Sequence, residues 1–298
     1  MLWVLCVADG SRSEGPNVVH AASSYSIRDE ARAAIRSARV NTSLEIACVY
    51  DGADPEFLAF LAAYHVHRVD WTSSREDLYR PDHTALERNR RAGVWMRMEI
   101  APLFQDRDYI LYTDCDVIFN KDVIAESLTL PSSELFSMVY SVGPGLGPAD
   151  HVNTGVMVIN VKNTLCELPH LIQICEGLNW GREFSEEEGY FEGMINRTYT
   201  QSGSITPLSQ LYNWRPWWGV SQESVITHFH GSKPPHLVEY LRHGIASSNL
   251  PDYCRALWKL STWSPYSVDM NREIAEYYIS MFEQYAGAQG IPALQRRP

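Results

Sequence analysis

YILYTDCDVIF, residues 109–119, decides how the chain is read. Five of its eleven residues are Ile, Leu, Val or Phe, which suits a buried strand, yet Asp114 and Asp116 stand inside it. In an extended chain, side chains in this spacing face the same side, so the two carboxylates repel unless a cation neutralises them. A hard divalent ion such as Mg²⁺ or Mn²⁺ takes oxygen ligands and leaves positions open for substrate phosphates. The spacing also suits ordinary carboxylates at a strand end, capping a helix from Lys121. The D-x-D pattern alone leaves both readings open.

Upstream of this stretch, short apolar strands alternate with helices. LWVLCVA (2–8) predicts a buried strand ending at Asp9-Gly10, and LEIACVY (44–50) a second one stopped by Asp51-Gly52. VHRVDW (66–71) gives a third, and YILYTDCDVIF is read as the fourth. Between them, SIRDEARAAIRSAR (26–39) has helical period, and PEFLAFLAAY (55–64) opens on Pro, a favoured first helical residue. RRAGVWMRMEIA also predicts a helix, limited by Pro102. This order implies an α/β fold with a mostly parallel sheet flanked by helices. In such sheets ligands bind beyond the carboxyl ends of the strands, where Asp9, Asp114 and Asp116 lie.

Downstream, ELFSMVYSV (134–142) and NTGVMVINV (153–161) predict strands around a Gly/Pro loop. LPHLIQICEGL predicts a helix, and SEEEGYFEGMINR opens with Ser185 and Glu188 in capping-box spacing. ESVITHFHG predicts a last strand, running into HGSKPP. Residues 1–250 form the expected α/β domain, and 251–298 an aromatic-rich helical tail.

The 298 residues carry 25 basic and 36 acidic side chains, a net charge of −11, which argues against nucleic acid as a partner. A small anionic ligand would need a metal ion or a local basic patch such as Arg88, Arg90, Arg91 and Arg97. The six cysteines are scattered without a CxxC pair and are expected to be reduced, buried and cytoplasmic. The first residues lack the basic flank of a signal peptide, and no apolar run has the length of a membrane span. The sequons at Asn41 and Asn196 are read as coincidental.

HFHGSKP (228–234) has a physical logic of its own. A neutral imidazole can complete a metal site, Gly231 lets backbone approach a phosphate, and Lys233 offers a point charge to a diphosphate. The bland alternatives are a half-buried strand histidine and a solvated lysine. His230 suits a supporting role or packing. In NWRPWWG (213–219), Trp214, Trp217 and Trp218 suit either a stacking surface for a ligand or core packing.

Taken in order, these motifs resemble those of the GT-A-fold, retaining glycosyltransferases of family 8, which include glycogenin and the bacterial lipo-oligosaccharide galactosyltransferases. The resemblance runs over roughly residues 1–240: VADG, WMRMEI, TDCD, NTGVMVIN and HFHGSKP. It implies a GT-A-type, Rossmann-like mixed sheet and a UDP-sugar donor. It places Ala8, Asp9, Arg97, Asp114, Cys115, Gly231 and Lys233 at the nucleotide sugar, with Asp9 on the uracil. Asp114, Asp116 and His228 become ligands of Mn²⁺ or Mg²⁺, and Asn153 lies beside the donor sugar. The sequence departs from the pattern in three places. The loop before Lys233 is one residue shorter, Pro235 stands where Trp is common, and Glu187-Glu188 replace an Asp-Gln pair. Glu187 and Glu188 are therefore candidates for gripping the sugar or for a catalytic role, with Glu188 also a helix cap.

The reaction so implied moves a hexose, glucose or galactose, to a saccharide or other small-molecule acceptor. A front-face, internal-return path needs no protein nucleophile; a double displacement would need Glu187 or Glu188. Rival readings are a haloacid-dehalogenase-type phosphatase, a sugar-nucleotide-binding protein without catalysis, and a nucleotidyltransferase. The tail is a candidate for membrane-surface docking, dimerisation or closure over the acceptor.

Overall fold

The computed structural model describes residues 1–8, 26–71, 95–123, 134–140, 151–177, 190–199, 204–258 and 270–287. In chain order the elements are β1 (Leu2–Ala8), α1 (Ile27–Asn41), β2 (Glu45–Asp51), α2 (Pro55–Ala63), β3 (His67–Asp70) and α3 (Ile100–Leu103). Then come β4 (Tyr109–Thr113), β5 (Val117–Phe119), β6 (Phe136–Tyr140), β7 (Val152–Asn160), α4 (Val161–Gly177) and α5 (Tyr190–Tyr199). The last are β8 (Ile205–Pro207), β9 (Ile226–His228), α6 (Pro234–His243), α7 (Asp252–Trp258) and α8 (Arg272–Ala286). The chain divides into two compact units of interleaved segments, 1–18, 45–114 and 124–209 in one, and 19–44, 115–123 and 210–298 in the other.

The first unit holds a seven-stranded sheet in the order β3-β2-β1-β4-β7-β6-β8. β1 pairs in parallel with β2 and β4, β2 with β3, and β6 with β8, while β7 runs antiparallel to both neighbours. The sheet is therefore mixed and mostly parallel, as expected. All seven residues of β1 are buried, because an interior parallel strand is covered on both faces. The parallel register brings Ala8, Asp51 and Thr113 to the same carboxyl edge. The core includes Val4, Cys6, Met96, Tyr112, Met157 and Ile195. The register slips between Met138 and Val139 of β6, a bulge opposite the start of β7. Bulges of this kind re-aim side chains beside functional sites, and here Asn153 and Thr154 lie at it.

The second unit pairs β5 with β9 antiparallel, Val117 facing His228. α1 starts on a capping box, with Ser26 and Asp29 exchanging bonds at each other's backbone, and packs on β5 and α8. Ser37 Oγ accepts the Phe119 N–H at 3.0 Å, and Asn41 Nδ2 donates to the Phe119 carbonyl at 2.7 Å. Phe229 meets Tyr278 and Phe282 of α8 edge to face, at 6.1 and 5.8 Å. Trp217 and Trp218 are buried edge to face with the Arg215 guanidinium over both rings, so their loop packs rather than offering open aromatic faces.

Four expectations need correction. The stretch 109–119 is two strands of different sheets, broken at Asp114-Cys115-Asp116, so the argument from a continuous extended chain does not hold. The helix read over residues 90–101 is, from Met96, a 3₁₀ turn (Met96–Glu99) followed by the single turn α3, where Pro102 supplies no N–H. α4 begins at Val161, well before the expected start at Leu168, because Asn160 Oδ1 accepts the Asn163 N–H at 3.1 Å and caps it; Pro169 lies inside. Cys166 is exposed, while the other five cysteines are buried and all six are free. The capping box read at Ser185 and Glu188 lies outside the described residues. No described helix is long and apolar enough to cross a membrane.

Candidate functional site

In the first unit, β4 ends at Thr113, whose hydroxyl accepts the Trp3 indole N–H at 2.9 Å. The Asp114 N–H then donates to the Gly155 carbonyl at 2.8 Å, which fixes the backbone of the first aspartate against β7. Its Oδ1 accepts from Arg97 Nη2 and from the Tyr112 hydroxyl, both at 2.6 Å. Arg97 Nε donates to the same hydroxyl at 2.8 Å, and Nη1 to Thr154 Oγ1 at 2.6 Å. All three nitrogens of the guanidinium are thus committed. Burial opposes its charge, but Asp114, Tyr112 and Glu192 outweigh burial and hold it firmly protonated. Burial pushes the Tyr112 phenol well above its ordinary value, so it stays a donor.

Glu192, on α5, was not singled out from the sequence. Its Oε2 accepts from Asn153 Nδ2 at 2.9 Å, from the Thr154 N–H at 3.0 Å and from the Thr154 hydroxyl at 3.3 Å. Its Oε1 lies 3.1 Å from His151 Nε2. One turn on, Asn196 accepts the Val152 N–H at 2.6 Å and donates to its carbonyl at 2.9 Å. This amide is buried in structural bonds, and that of Asn41 is likewise engaged, so both sequons mark structural asparagines. Asn153 itself is buried, and its Oδ1 accepts the Gly155 N–H at 3.1 Å.

In the second unit, Asp116 is 4% exposed. The Phe229 N–H donates to its carbonyl at 2.9 Å, continuing the β5–β9 pairing. Its Oδ2 pairs with Lys233 Nζ, and its Oδ1 lies 3.4 Å from His228 Nε2. Burial alone would raise this carboxyl; Lys233 and His228 outweigh it and hold Asp116 well below its ordinary value. Burial likewise opposes the Lys233 charge, and Asp116 and Glu30 override it. Glu30 is a buried acid of α1, 4.0 Å from Lys233 Nζ and from the Cys115 thiol. The sequence signal it left is an acid beside the apolar stripe of that helix.

His228 carries the decisive geometry. Its Nδ1 lies 2.8 Å from Asn213 Oδ1, which can only accept, so Nδ1 bears the proton. Nε2 is left facing the Asp116 carboxylate, 3.4 Å from Oδ1. When the ring is neutral, Nε2 and that carboxylate are both acceptors and can share a cation. A ligating histidine commonly donates its other N–H to a carbonyl in this way. The donor set, carboxylate oxygen and imidazole nitrogen, suits a divalent ion such as Mn²⁺.

Ala8 closes β1, and Cys115 is buried with its thiol toward Glu30. Gly231 has φ 69°, a conformation that favours glycine, and Lys233 follows just before α6. His230 stacks at a tilt on His228, 5.3 Å between centroids. Asp9, Glu187 and Glu188 lie outside the described residues. Glu192, Glu30 and Asn213 are the additions that the structure makes.

No protein-family model and no curated protein matches the sequence. Solved structures do. The chain is similar to the galactosyltransferase LgtC in complex with donor and acceptor sugar analogs, at 13% identity over 98% of both chains, with a TM-score of 0.58. It is similar to the glycosyltransferase GlyE of Streptococcus pneumoniae TIGR4, at 16% identity over 95% of this chain and 62% of that one, TM-score 0.53. Mouse xyloside xylosyltransferase 1 matches 76% of this chain at 11% identity, TM-score 0.50. At such identities the likeness is one of fold, and with the mixed sheet described above it identifies the fold of this chain as the GT-A fold of glycosyltransferases.

Proposed function

We propose that the chain is a metal-dependent glycosyltransferase of the family 8 type. It moves a hexose, glucose or galactose, from a UDP-sugar to a saccharide or other small-molecule acceptor, with retention of configuration. Asp114, Asp116 and His228 would hold the ion, Mn²⁺ or Mg²⁺. The observation that carries this reading is the committed Nδ1 of His228, which leaves Nε2 facing Asp116. The ion, when bound, supplies positive charge to the leaving diphosphate.

The chain's own groups do the rest. Lys233 is the exchangeable cation: its ammonium neutralises Asp116 here and turns to a diphosphate oxygen once the donor arrives. Gly231 keeps the adjoining loop free of a side chain where phosphate approaches. Arg97 and Tyr112 orient Asp114. On the sugar side, Asn153 and Glu192 form one hydrogen-bonded unit, so Glu192 joins Glu187 and Glu188 as a candidate carboxylate. In the front-face path the bond from C1 to the diphosphate breaks and the acceptor oxygen bonds C1 on the same face. The acceptor proton then leaves on the departing phosphate. Asp9 and Ala8 would meet the base. Residues 1–250 are taken as the catalytic region, with 251–298 as its helical extension. Six free cysteines suit a reducing compartment, which we take to be the cytoplasm.

A thermal-shift and hydrolysis screen of nucleotide sugars, with Mn²⁺ and with chelator, tests the reading. Stabilisation and slow hydrolysis by one UDP-hexose, only with the ion, is expected. Indifference to every UDP-sugar in the presence of Mn²⁺ would sink it.

A further inference from the structure

α7, within the aromatic-rich extension, is joined to the Lys233 loop by buried polar bonds that packing alone would not require. The loop from Phe229 to Lys233 is a tight turn: the Ser232 N–H donates to the Phe229 carbonyl at 3.2 Å, and Gly231 sits at φ 69°. Lys233 then leads directly into α6, whose first two residues are prolines without N–H groups. The Lys233 carbonyl accepts from the His236 and Leu237 N–H groups at 2.9 and 3.2 Å, which ties the loop to α6, while the Gly231 carbonyl and the Ser232 hydroxyl face α7. α7 adds a second set of restraints through its side chains. Trp258 Nε1 donates to Ser232 Oγ at 2.7 Å, and both residues are almost completely buried. The Cys254 thiol donates to the Gly231 carbonyl at 3.0 Å and lies 3.3 Å from His236 Nδ1 on α6. Tyr240 of α6 meets the Trp258 ring edge to face at 5.3 Å.

We propose that α7 is a clamp on this loop, and that Trp258 and Cys254 are positioning residues for Lys233. The proposal rests on the reading of Lys233 as a diphosphate contact. A lysine side chain brings about 2 kcal/mol of rotamer entropy to any contact it makes. Holding its backbone still on both sides limits what else must be ordered when the phosphate arrives. A phenylalanine would supply the aromatic packing of one ring there; the indole N–H aimed at a buried hydroxyl is what core filling does not explain.

The test is calorimetric titration of UDP with Mn²⁺, and NMR titration of uridine, into the full chain and three variants: Trp258→Phe, Ser232→Ala and the double. Trp258→Phe should weaken UDP by about three- to tenfold, the worth of one buried hydrogen bond. Uridine, which has no phosphate, should bind as before. Ser232→Ala should give a similar loss, and the double no more than either, because both remove one bond. In turnover assays the donor KM should rise more than kcat falls. Unchanged UDP affinity in Trp258→Phe, additive losses in the double, or a parallel loss of uridine would each overturn the clamp. If Trp258→Phe does not fold, Cys254→Ser should keep UDP affinity while Cys254→Ala loses it; equal affinities overturn the proposal. Failure of the wild-type chain to bind UDP would overturn both the functional reading and the clamp. A binding wild type with indifferent variants would overturn the clamp alone.

Discussion

Asp114 and Asp116 stand one residue apart, yet the two units of the molecule treat them differently. In the first unit, Asp114 meets a guanidinium and a phenol at 2.6 Å each, and that guanidinium is tied to two further partners. In the second, the more deeply buried Asp116 meets the ammonium of Lys233, a single charge on a long flexible stem, and His228 Nε2 at 3.4 Å. Arg97 cannot leave without breaking a network; Lys233 bonds Asp116 and lies 4.0 Å from Glu30. The difference teaches that one aspartate is anchored by a committed guanidinium and the other is neutralised by a single ammonium, the charge proposed above to be exchangeable.

The sharpest way to break this contrast is to remove each cation in turn. Arg97→Met should lower stability by about 1.5–3 kcal/mol, the worth of hydrogen bonds to the half-buried Asp114 carboxylate, and Mn²⁺, which Asp114 would also ligate, should restore only part of it. Chemical denaturation with and without the ion measures this. Lys233→Met should behave differently: in chelator it is destabilised, and Mn²⁺ recovers most of the loss. Its kcat should fall by about 10²–10³-fold, because a charge aimed at the leaving group is gone. If Mn²⁺ rescued both variants alike, the distinction between anchor and exchangeable charge would fail.

Smaller effects sharpen the same contrast. Asn213→Leu removes the acceptor that fixes the His228 tautomer, and Mn²⁺ affinity should drop about 10–100-fold, read by equilibrium dialysis. Wild-type affinity in that variant would mean that the ring orientation has another source. On the anchored side, burial raises the Tyr112 phenol above the ordinary 10.0. A raised folded value favours the neutral form, so its contribution is complete below pH 10.0 and is lost as pH rises beyond it. Unfolding free energy should therefore fall above that pH by up to about 1.4 kcal/mol per unit from this group, and Tyr112→Phe should flatten the slope.

Much of this was legible in the sequence, for identifiable reasons. β1 and β2 are continuous apolar runs stopped by Asp-Gly, and α1 and α2 carry capping residues, so their local chemistry sufficed. His228, Gly231 and Lys233 announced themselves by combining chemistry-bearing types in one short loop. The break of 109–119 into two strands was hidden because apolar residues lie on both sides of Asp114-Cys115-Asp116, and nothing local says that they join different sheets. The early start of α4 was hidden by reading Asn160-Val161 as strand and Pro169 as a helix start. Glu30, Asn213 and Glu192 were missed because each acts across a large sequence separation: Glu30 on Lys233, Asn213 on His228, and Glu192 on Asn153 and Thr154. Only tertiary packing makes those meetings.

The account is tested most directly by anomalous diffraction at the manganese edge from crystals grown with Mn²⁺ and UDP. It predicts one strong peak bonded to Asp114, Asp116 and His228 Nε2, with Lys233 turned from Asp116 to a phosphate oxygen. A peak elsewhere, or none at full nucleotide occupancy with Lys233 still on Asp116, would contradict it.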